Sequence, residues 1–579
     1  MKMSKRIKNI TDSIRYSFER FPLTVLTSTA VVILLITLSE MGTQFTPVER
    51  DKFIRFTMTV ALGIPLSACI KFIYERIEDR KKLSSIIGYL LGIAFLILYY
   101  FLFLKALNWV SIARYIGLSL VLYLAFFFIP WFKKKAGYEY YIIDILFNFI
   151  ITAIYSFVLF FGIVIILFTI VQLFNVDIPD KFVYYSFLII AGIFAPSLFL
   201  AKIPQLKGDS YKIEYPKALK VLLLYIVIPL ITVYSIILYV YFMKIIITRN
   251  WPQGLVSHLV LWYSVVSVAV IFLISPILAD NKLAYRFKFL FPKFILPILA
   301  MMFISMGIRI NAYGITESRY FALVLGLWVL GVMVYFSLKK RLTNIVIPIS
   351  LSIVILLSII GPVSSFSVSK FSQNNRLKNI LEQNSMLTGE GISKKEDIPR
   401  EDKEEISAIL MYFENRHSLK DVKYIPEDFQ MENMEEVFGF PYTEKRQDEA
   451  DYFSYYMNYE DRKALDIKDY DYYINSITLM QREVEVEGLT ISYENNTIRI
   501  VEDQLIYEWD LKDPVSKLLT KEKQLNKYDY QLQPEKAIFV NENERIRVKI
   551  LITSFSAMKE LNDEYILDHV EFEMLIDIK

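Results

Sequence analysis

Residues 345–387 read IVIPISLSIVILLSIIGPVSSFSVSKFSQNNRLKNILEQNSML, and this stretch divides the chain into two chemically different halves. The sequence before it consists mostly of apolar blocks long enough to cross a bilayer, whereas the sequence after it is polar and acidic. Ile345–Ile360 is predicted to be the last membrane span. Gly361 and Pro362 end it, because proline cannot continue a helix and glycine tolerates a reversal. A short amphipathic helix is predicted next, and its apolar side consists of Phe371, Leu377, Ile380 and Leu381.

Composition supports this division. The chain has 579 residues, is 54% hydrophobic and has a mean hydropathy of +0.38, well above ordinary soluble proteins. Its net charge of +3 hides an asymmetry, because residues 1–366 carry 36 Lys+Arg against 16 Asp+Glu, whereas residues 367–579 carry 28 against 45. This asymmetry predicts that the two halves face different compartments. The one cysteine, Cys69, excludes an intramolecular disulfide and a thiolate metal site.

The first half contains eleven apolar blocks. The first, Phe21–Leu38, follows a basic N-terminal segment, but no small-x-small cleavage site closes it, so we expect an uncleaved span. The other ten are Phe53–Tyr74, Ser85–Leu104, Ile112–Phe132, Tyr141–Phe174, Phe182–Ala201, Ala218–Ile247, His258–Leu278, Phe294–Ile308, Tyr320–Leu338 and Ile345–Ile360. Most are near the ~20 residues that cross a bilayer, and the two longest must tilt or extend beyond it.

Loop charges predict the orientation of these spans. With the N-terminus inside, the inner segments hold 26 Lys+Arg and the outer segments hold seven. Every inner segment exceeds every outer one, as the positive-inside rule requires, and an error of one span would destroy this alternation. Eleven spans with a cytoplasmic N-terminus place the C-terminal half outside the cytoplasm.

The C-terminal half is predicted to be an α+β domain with a mostly antiparallel sheet. A helix begins at Pro399, with the proline and acidic residues in its first turn, and Pro514–Lys523 forms a second short helix. Period-two alternation predicts strands from Val484 onward, with Asn495-Asn496 as a hairpin turn. The last strands are predicted at Ala537–Val540, Ile546–Ile552 and Val570–Ile578. Residues 425–478 are rich in tyrosine and acid and yield no assignment.

Three segments follow from these patterns. Residues 1–366 are predicted to form a transmembrane helical bundle and residues 367–390 an amphipathic hinge helix. Residues 391–579 form the extracytoplasmic α+β domain, which we expect to fold alone.

Four blocks resemble the domain of unknown function 4153 family of bacterial polytopic membrane proteins. They are YPKALKVLLLYIVIPLITVYSIILYVYFMKIIIT (215–248), NWPQGLVSHLVLWYS (250–264), IRINAYGITESRYFALVLGLWVLG (308–331) and GPVSSFSVSKFSQNNRLKNILEQNSML (361–387). The resemblance covers most of residues 1–390 and is weaker across 391–579. It implies a polytopic protein of the cytoplasmic membrane and no known reaction.

The sequence contains no catalytic motif. Phosphate-binding loops, nucleophile elbows and dinucleotide fingerprints are absent. The three histidines, His258, His417 and His569, lack metal-ligand spacing, so we expect no metal site and no cofactor. His258 is interpreted as an interfacial residue at a span end. The acidic patches at 427–436 and 448–471 lack the calcium-loop pattern and are interpreted as solvated faces.

Charges near the membrane are the better candidates, because burying a charge without a partner is costly. Arg114, Asp144 and Lys244 lie at membrane edges, where they can reach water or line a cavity. A second cluster, Arg309, Glu317 and Arg319, occupies the predicted outer loop before the tenth span. We expect Arg309 or Arg319 to pair with groups near the 361–387 hinge, or else to bind lipid phosphates.

Three functions remain open on sequence alone. The leading hypothesis is an envelope sensor or an assembly scaffold whose external domain binds an envelope protein or cell-wall component. The second is a transporter or flippase of a small or lipid-linked substrate, although no acid lies at mid-span. The third is an envelope enzyme that acts at the outer face through Arg309, Glu317 and Arg319. The expected partner is the lipid bilayer, and no nucleic-acid partner is expected.

Overall fold

The computed structural model divides the chain into two compact units, Met1–Thr443 and Glu444–Lys579. It describes residues 12–42, 44–76, 82–132, 137–174, 178–204, 215–249, 255–339, 341–388, 391–444, 452–458, 464–522, 534–559 and 565–579. The sequence of the first unit carries 46 Lys+Arg against 31 Asp+Glu, and that of the second carries 18 against 30. The two units therefore differ in the sign of their net charge.

The first unit contains a series of apolar helices. In chain order, and counted over the described residues, they are α1 (Pro22–Met41), α2 (Pro47–Arg76), α3 (Lys82–Leu102), α4 (Trp109–Phe128), α5 (Tyr138–Phe174), α6 (Lys181–Ala201), α7 (Lys217–Thr248), α8 (Leu255–Ile274), α9 (Lys282–Tyr313), α10 (Glu317–Leu338) and α11 (Val346–Ile359). Within that part of the chain, the ten helices α1 to α10 are long and apolar enough to cross a membrane. Helix α11 has only 14 residues, about 21 Å at 1.5 Å per residue.

These helices expose apolar side chains that a water-soluble protein would bury. In α5, none of the residues in the most apolar window is buried inside the protein. Phe157 and Val158 of this helix are 63% and 65% exposed, and Leu91 of α3 is 66% exposed. Contiguous apolar surface of this kind is stable against lipid hydrocarbon and unfavourable against water. The helical series therefore indicates a membrane protein, which confirms the prediction from composition.

Polar contacts between helix ends fall into two groups that define two ends of the bundle. The Arg20 end holds the contacts Arg20–Glu75, Arg20–Ile203, Arg76–Phe132, Glu139–Asn344 and Lys288–Lys339. The Glu317 end holds the contacts Glu40–Lys181, Arg55–Lys105 and Tyr320–Val363. Asn344, just before α11, lies at the Arg20 end, and Val363, just after it, lies at the Glu317 end. Helix α11 therefore runs from one end to the other despite its length, and the eleven helices alternate in direction.

A smaller helical layer completes the first unit. It contains α12 (Ser365–Gln383), the short strands β1 (Leu387–Thr388) and β2 (Gly391–Ile392), α13 (Arg400–Arg416) and α14 (Met434–Phe438). Ser364 caps α12, since its hydroxyl accepts from the Ser367 N–H. Apolar residues of α12, α13, α14 and the segment that follows α14 form one core, which includes Leu377, Leu381, Phe413, Phe438 and Phe440.

Two details of this layer differ from the sequence-based expectation. Phe371 is 66% exposed and does not share the apolar face of Leu377, Ile380 and Leu381, so that part of the prediction is wrong. Phe371 lies six residues before Leu377. Six steps of about 100° stop about 120° short of two full turns, so Phe371 points away from that face. In addition, the compact second unit begins at Glu444 and not at residue 391, because residues 391–443 contribute their apolar side chains to the core shared with α12.

The second unit is β-rich and its described strands pair antiparallel. It contains β3 (Tyr452–Tyr456), β4 (Tyr472–Asn475), α15 (Ser476–Gln481), β5 (Val484–Val486), β6 (Leu489–Glu494), β7 (Thr497–Val501), β8 (Leu505–Asp510), α16 (Lys512–Glu522), β9 (Ile538–Glu542), β10 (Ile546–Lys559) and β11 (Tyr565–Ile578). One sheet has the order β3-β10-β11-β4, with β9 also paired to β10, and the other has the order β5-β6-β7-β8. The predicted α+β class with a mostly antiparallel sheet is confirmed.

Local sequence explains much of this unit. Asn495 and Asn496 have φ of 50° and 61°, the left-handed conformation that a tight hairpin requires and that asparagine tolerates. In β7 the buried residues Ile498 and Ile500 alternate with more exposed neighbours, as period-two patterning predicts. The last two strands are longer than predicted, because β10 and β11 pair from Ile546 to Lys559. The segment without an assignment, 425–478, contributes α14, β3 and β4.

Candidate functional site

The loop between α9 and α10, at the Glu317 end, is short and tightly held. Helix α9 ends at Tyr313, and Gly314 follows with a φ of 68°, which residues with a Cβ adopt at a cost. A Cβ at Gly314 would also lie 2.8 Å from Gln373 Nε2 of α12. The backbone conformation therefore favours glycine, and a Cβ would also displace the Gln373 amide. Ile315 and Thr316 then lead directly into α10.

Side chains of α12 bind the backbone of this loop. The Ile315 N–H donates to Ser372 Oγ at 2.8 Å, and Gln373 Nε2 donates to the carbonyls of Tyr313 and Ile315 at 3.2 and 3.1 Å. Arg376 Nη1 donates to the Tyr313 carbonyl at 3.3 Å. These contacts satisfy backbone groups at the end of α9 that would otherwise lack a partner. The loop and α12 thus form one rigid connection.

A buried carboxylate lies at the centre of this connection. Glu317 is the first residue of α10 and directly follows the N-cap position, Thr316. Its Oε1 accepts hydrogen bonds from Ser369 Oγ and Tyr412 OH, both at 2.7 Å, and lies 2.5 Å from His417 Nε2. We call these four residues, Glu317, Ser369, Tyr412 and His417, the Glu317 latch. The latch joins an apolar helix of the bundle to α12 and to the C-terminal end of α13.

The electrostatics of the latch favour an ionised Glu317. The carboxylate lies at the N-terminus of α10, where the helix dipole stabilises negative charge. Three donors compensate for its loss of water, since Glu317 is only 3% exposed. Burial and the Glu317 carboxylate raise the pKa of Tyr412 well above its usual range. The Tyr412 hydroxyl therefore keeps its proton and remains a donor.

The latch is not arranged for nucleophilic catalysis. In a hydrolase triad the histidine lies between the nucleophile and the acid, whereas here the Ser369 hydroxyl bonds the carboxylate directly. Ser369 is 0% exposed and the His417 side chain is 1% exposed, so a substrate has no access to either group. The geometry is that of a structural clamp between segments distant in sequence.

The two arginines of the predicted outer cluster lie beside the latch and line a pocket. This pocket encloses about 220 Å³ between the end of α9, the start of α10 and the start of α8. Arg309, Arg319 and His258 contribute to its lining, whereas Glu317 turns away into the latch. Arg319 Nη1 also donates to the carbonyls of Tyr313 and Gly314 at 3.1 and 2.7 Å. Side chains of α12 thus make the contact between the α9–α10 loop and the hinge. Arg319 instead donates to carbonyls of that same loop.

The three membrane-edge charges have separate surroundings. Arg114 Nε donates to the carbonyl of Ile359, the last residue of α11, at 3.3 Å. Asp144 Oδ1 accepts from Asn148 Nδ2, one turn later in α5, at 3.2 Å. Lys244 is exposed near the end of α7. Arg114 therefore helps to satisfy the end of a helix at the Glu317 end of the bundle.

Sequence reasoning placed Arg309, Glu317 and Arg319 together but missed their partners. For His417 the sequence indicated only that metal-ligand spacing is lacking, and no local pattern singled out Ser369 or Tyr412. Among the described residues, no group of three or more His, Cys, Asp or Glu could hold a metal ion. Of the acidic patch at 448–471, residues 448–451 and 459–463 lie outside the described residues.

Comparison with known proteins gives a family but no activity. The family described as Domain of unknown function (DUF4153) matches residues 20–389, so Tyr412 and His417 lie beyond the matched region. The chain is 24% identical over 303 residues to the uncharacterized protein PM1469 of Pasteurella multocida (strain Pm70), covering 52% of this chain and 51% of that protein. The chain thus spans about half the length of this relative. No solved structure matches. Because the family match covers more than half of the sequence, the chain belongs to the DUF4153 family.

Proposed function

We propose that the protein is a multi-pass protein of the cytoplasmic membrane that works as an envelope sensor or assembly scaffold. In this proposal the Arg20 end faces the cytoplasm, and the Glu317 end and the second unit lie outside. The distribution of Lys and Arg between the loops supports this orientation. The outer unit would bind an envelope protein or a cell-wall component.

The observation that carries the proposal is the Glu317 latch. It fixes the first turn of α10 to α12 and α13, which precede the second unit in the chain. A partner that altered this layer would act directly on a helix that runs to the opposite end of the bundle. A sensor needs a rigid element of this kind, with one end at the place where the partner acts.

The far end of α10 is also held by polar contacts. Lys288 Nζ donates to the carbonyl of Lys339, immediately after α10, at 2.7 Å. Tyr335 OH accepts from the Thr343 N–H at 2.6 Å. A displacement of α10 at the latch would therefore change contacts at the Arg20 end. This arrangement gives the proposed signal a physical route.

Alkylation of a cysteine at the far end of α10 tests this coupling. Leu338 is 76% exposed, and a Leu338→Cys variant in a Cys69→Ser background provides a reporter in reconstituted vesicles. Tyr412→Phe removes one donor from Glu317, and we expect it to change the alkylation rate at position 338 several-fold.

A matched control is Tyr185→Phe, because Tyr185 OH also donates to a glutamate, Glu40, at the same end of the bundle but outside α10. This control should leave the alkylation rate unchanged. Equal rates in the parent and both variants would contradict a sensor that signals through α10 and would leave the scaffold role.

A second candidate is transport, favoured by two irregular turns inside apolar helices. Residues Ile190–Phe194 of α6 and Leu222–Val227 of α7 form π-helical turns, which occur frequently at functional sites. The carbonyl of Gly192, within the first of these turns, accepts a hydrogen bond from Ser28 Oγ of α1. Depletion of a solute by reconstituted vesicles would favour transport over the sensor or scaffold.

A further inference from the structure

The pocket beside the latch collects hydrogen-bond donors. Its wall includes Thr316, Ser318 and Arg319, at the start of the 22-residue helix α10. The first backbone N–H groups of a helix have no partner inside the helix. Thr316 makes no capping hydrogen bond, and the Glu317 carboxylate takes up one of these groups, the N–H of Glu317 itself. The N–H groups of Ser318 and Arg319 lie in the first turn, where a helix supplies no partner, and both residues line the pocket.

A second, independent group points to a ligand. Ser257, at the start of α8, is only 5% exposed and lines the same pocket. Its Oγ is fully buried and has no hydrogen-bond partner among the described residues. A buried hydroxyl without a partner is costly, so a bound polar group would relieve it. Ser257 is one of the residues that line the pocket, so the pocket is the candidate position for that group.

The charge of the pocket selects an anion. Arg309 makes no hydrogen bond or ion pair with any described residue, and Arg319 uses one nitrogen for loop carbonyls. The arginine fork has five donors, so both guanidinium groups retain donors for a ligand. Among the described residues, no acidic side chain lines the pocket, because the neighbouring Glu317 is held in the latch. The net positive lining favours an oxygen-rich anion.

We infer that this pocket binds one phosphate group, held by Arg309, Arg319, Ser257 and the first turn of α10. Arginine suits phosphate because its planar fork can donate two parallel hydrogen bonds. The volume of about 220 Å³ exceeds that of a cavity of roughly 150 Å³ that holds benzene, so a phosphate and part of its substituent fit. The phosphate belongs either to an anionic lipid headgroup or to a soluble phosphate compound.

This inference does not depend on the sensor or scaffold role. A phosphate site would operate equally in a scaffold that binds membrane lipid and in a sensor that binds a soluble ligand. Because the pocket borders the first turn of α10, occupancy would stabilise the same helix end that the latch holds. Failure of phosphate binding would leave the coupling through α10 untouched.

Thermal unfolding of the full-length protein tests the inference in two arms. In an uncharged detergent, sodium phosphate is titrated against sodium chloride at constant ionic strength. In nanodiscs, phosphatidylcholine alone is compared with phosphatidylcholine containing phosphatidylglycerol. Saturable stabilisation by inorganic phosphate identifies a soluble ligand. Stabilisation by phosphatidylglycerol, without any effect of inorganic phosphate, identifies a lipid headgroup. We expect at least one arm to be positive.

Variants locate the effect. Arg309→Gln should raise the half-saturating phosphate concentration at least about tenfold, equivalent to about 1.4 kcal/mol, or abolish the phosphatidylglycerol effect. Ser257→Ala should cause a smaller rise, and it decides the test alone if Arg309→Gln does not fold. Lys244→Gln is the matched control, since it removes an exposed positive charge near the end of α7 and should change neither arm.

Two results would overturn the inference. One is that neither phosphate nor phosphatidylglycerol stabilises the protein beyond its reference condition. The other is that Arg309→Gln and Ser257→Ala behave like Lys244→Gln in both arms.

Discussion

Replacing Glu317 with alanine should lower the free energy of unfolding by about 3–5 kcal/mol, the usual loss when one partner of a buried charged contact is removed. The change leaves Ser369, Tyr412 and His417 buried without their common acceptor. Ser369 then keeps the Phe366 carbonyl at 3.3 Å, and Tyr412 and His417 keep each other at 3.1 Å, so these buried groups lose their strongest hydrogen bonds. Titration with sodium dodecyl sulfate in mixed micelles, followed by circular dichroism, measures the difference.

Glu382→Ala is the matched control for this prediction. Glu382 lies on α12 and pairs with Lys378 one turn earlier, but its side chain is 51% exposed. Exposed pairs of this kind contribute little to stability, so the control should unfold close to the parent protein. If Glu317→Ala and Glu382→Ala were equally mild, the latch would not stabilise the end of the bundle.

Replacing Glu75 with alanine should cost a similar amount, about 3–5 kcal/mol, at the opposite end of the bundle. Glu75 accepts from Arg20 Nε at 3.0 Å and from Arg20 Nη2 at 2.8 Å. The Arg20 side chain is only 6% exposed, and it also donates to the carbonyls of Ile203 and Pro204. Burial acts against the charge of Arg20, but Glu75 outweighs it and raises the pKa of the guanidinium. Without Glu75, a buried positive charge remains with two backbone carbonyls and the face of the Phe21 ring.

The Arg15–Glu19 pair provides the comparison for this end. It has the same residue types at a distance of 3.1 Å, but its side chains are 81% and 63% exposed. Glu19→Ala should therefore cost less than about 0.5 kcal/mol. A loss in Glu75→Ala no larger than the loss in Glu19→Ala would show that the buried pair does not hold the Arg20 end together.

The apolar helices and the hairpins were predictable because their signals are local. Length and composition are enough to identify a helix such as α5, whose 37 residues are almost continuously apolar. The Asn495-Asn496 turn was predictable because asparagine tolerates positive φ in a two-residue hairpin. The eleventh helix was predictable from the alternation of charged loops, although its 14 residues are short for a span.

The latch was not predictable because its members are far apart in sequence. Ser369 lies 52 residues after Glu317, and Tyr412 lies 95 residues after it. No periodicity or motif connects positions at such separations. The buried face of α12 was also misread, since the polar residues Gln373 and Asn374 are buried there while Phe371 is exposed. In α12, the need to bind the neighbouring loop places polar residues on the buried face. The apolar residues of the helix therefore do not mark that face by themselves.

Reporter fusions test the central claim, that eleven helices alternate across the membrane with the Glu317 end outside. Alkaline phosphatase, which is active only outside the cytoplasm, is fused after Lys339 in one variant and after Lys370 in another. Lys339 follows α10 at the Arg20 end, and Lys370 lies in α12, beyond α11. The account predicts high activity after Lys370 and none after Lys339. Equal activity at the two positions, or activity after Lys339 alone, would contradict it.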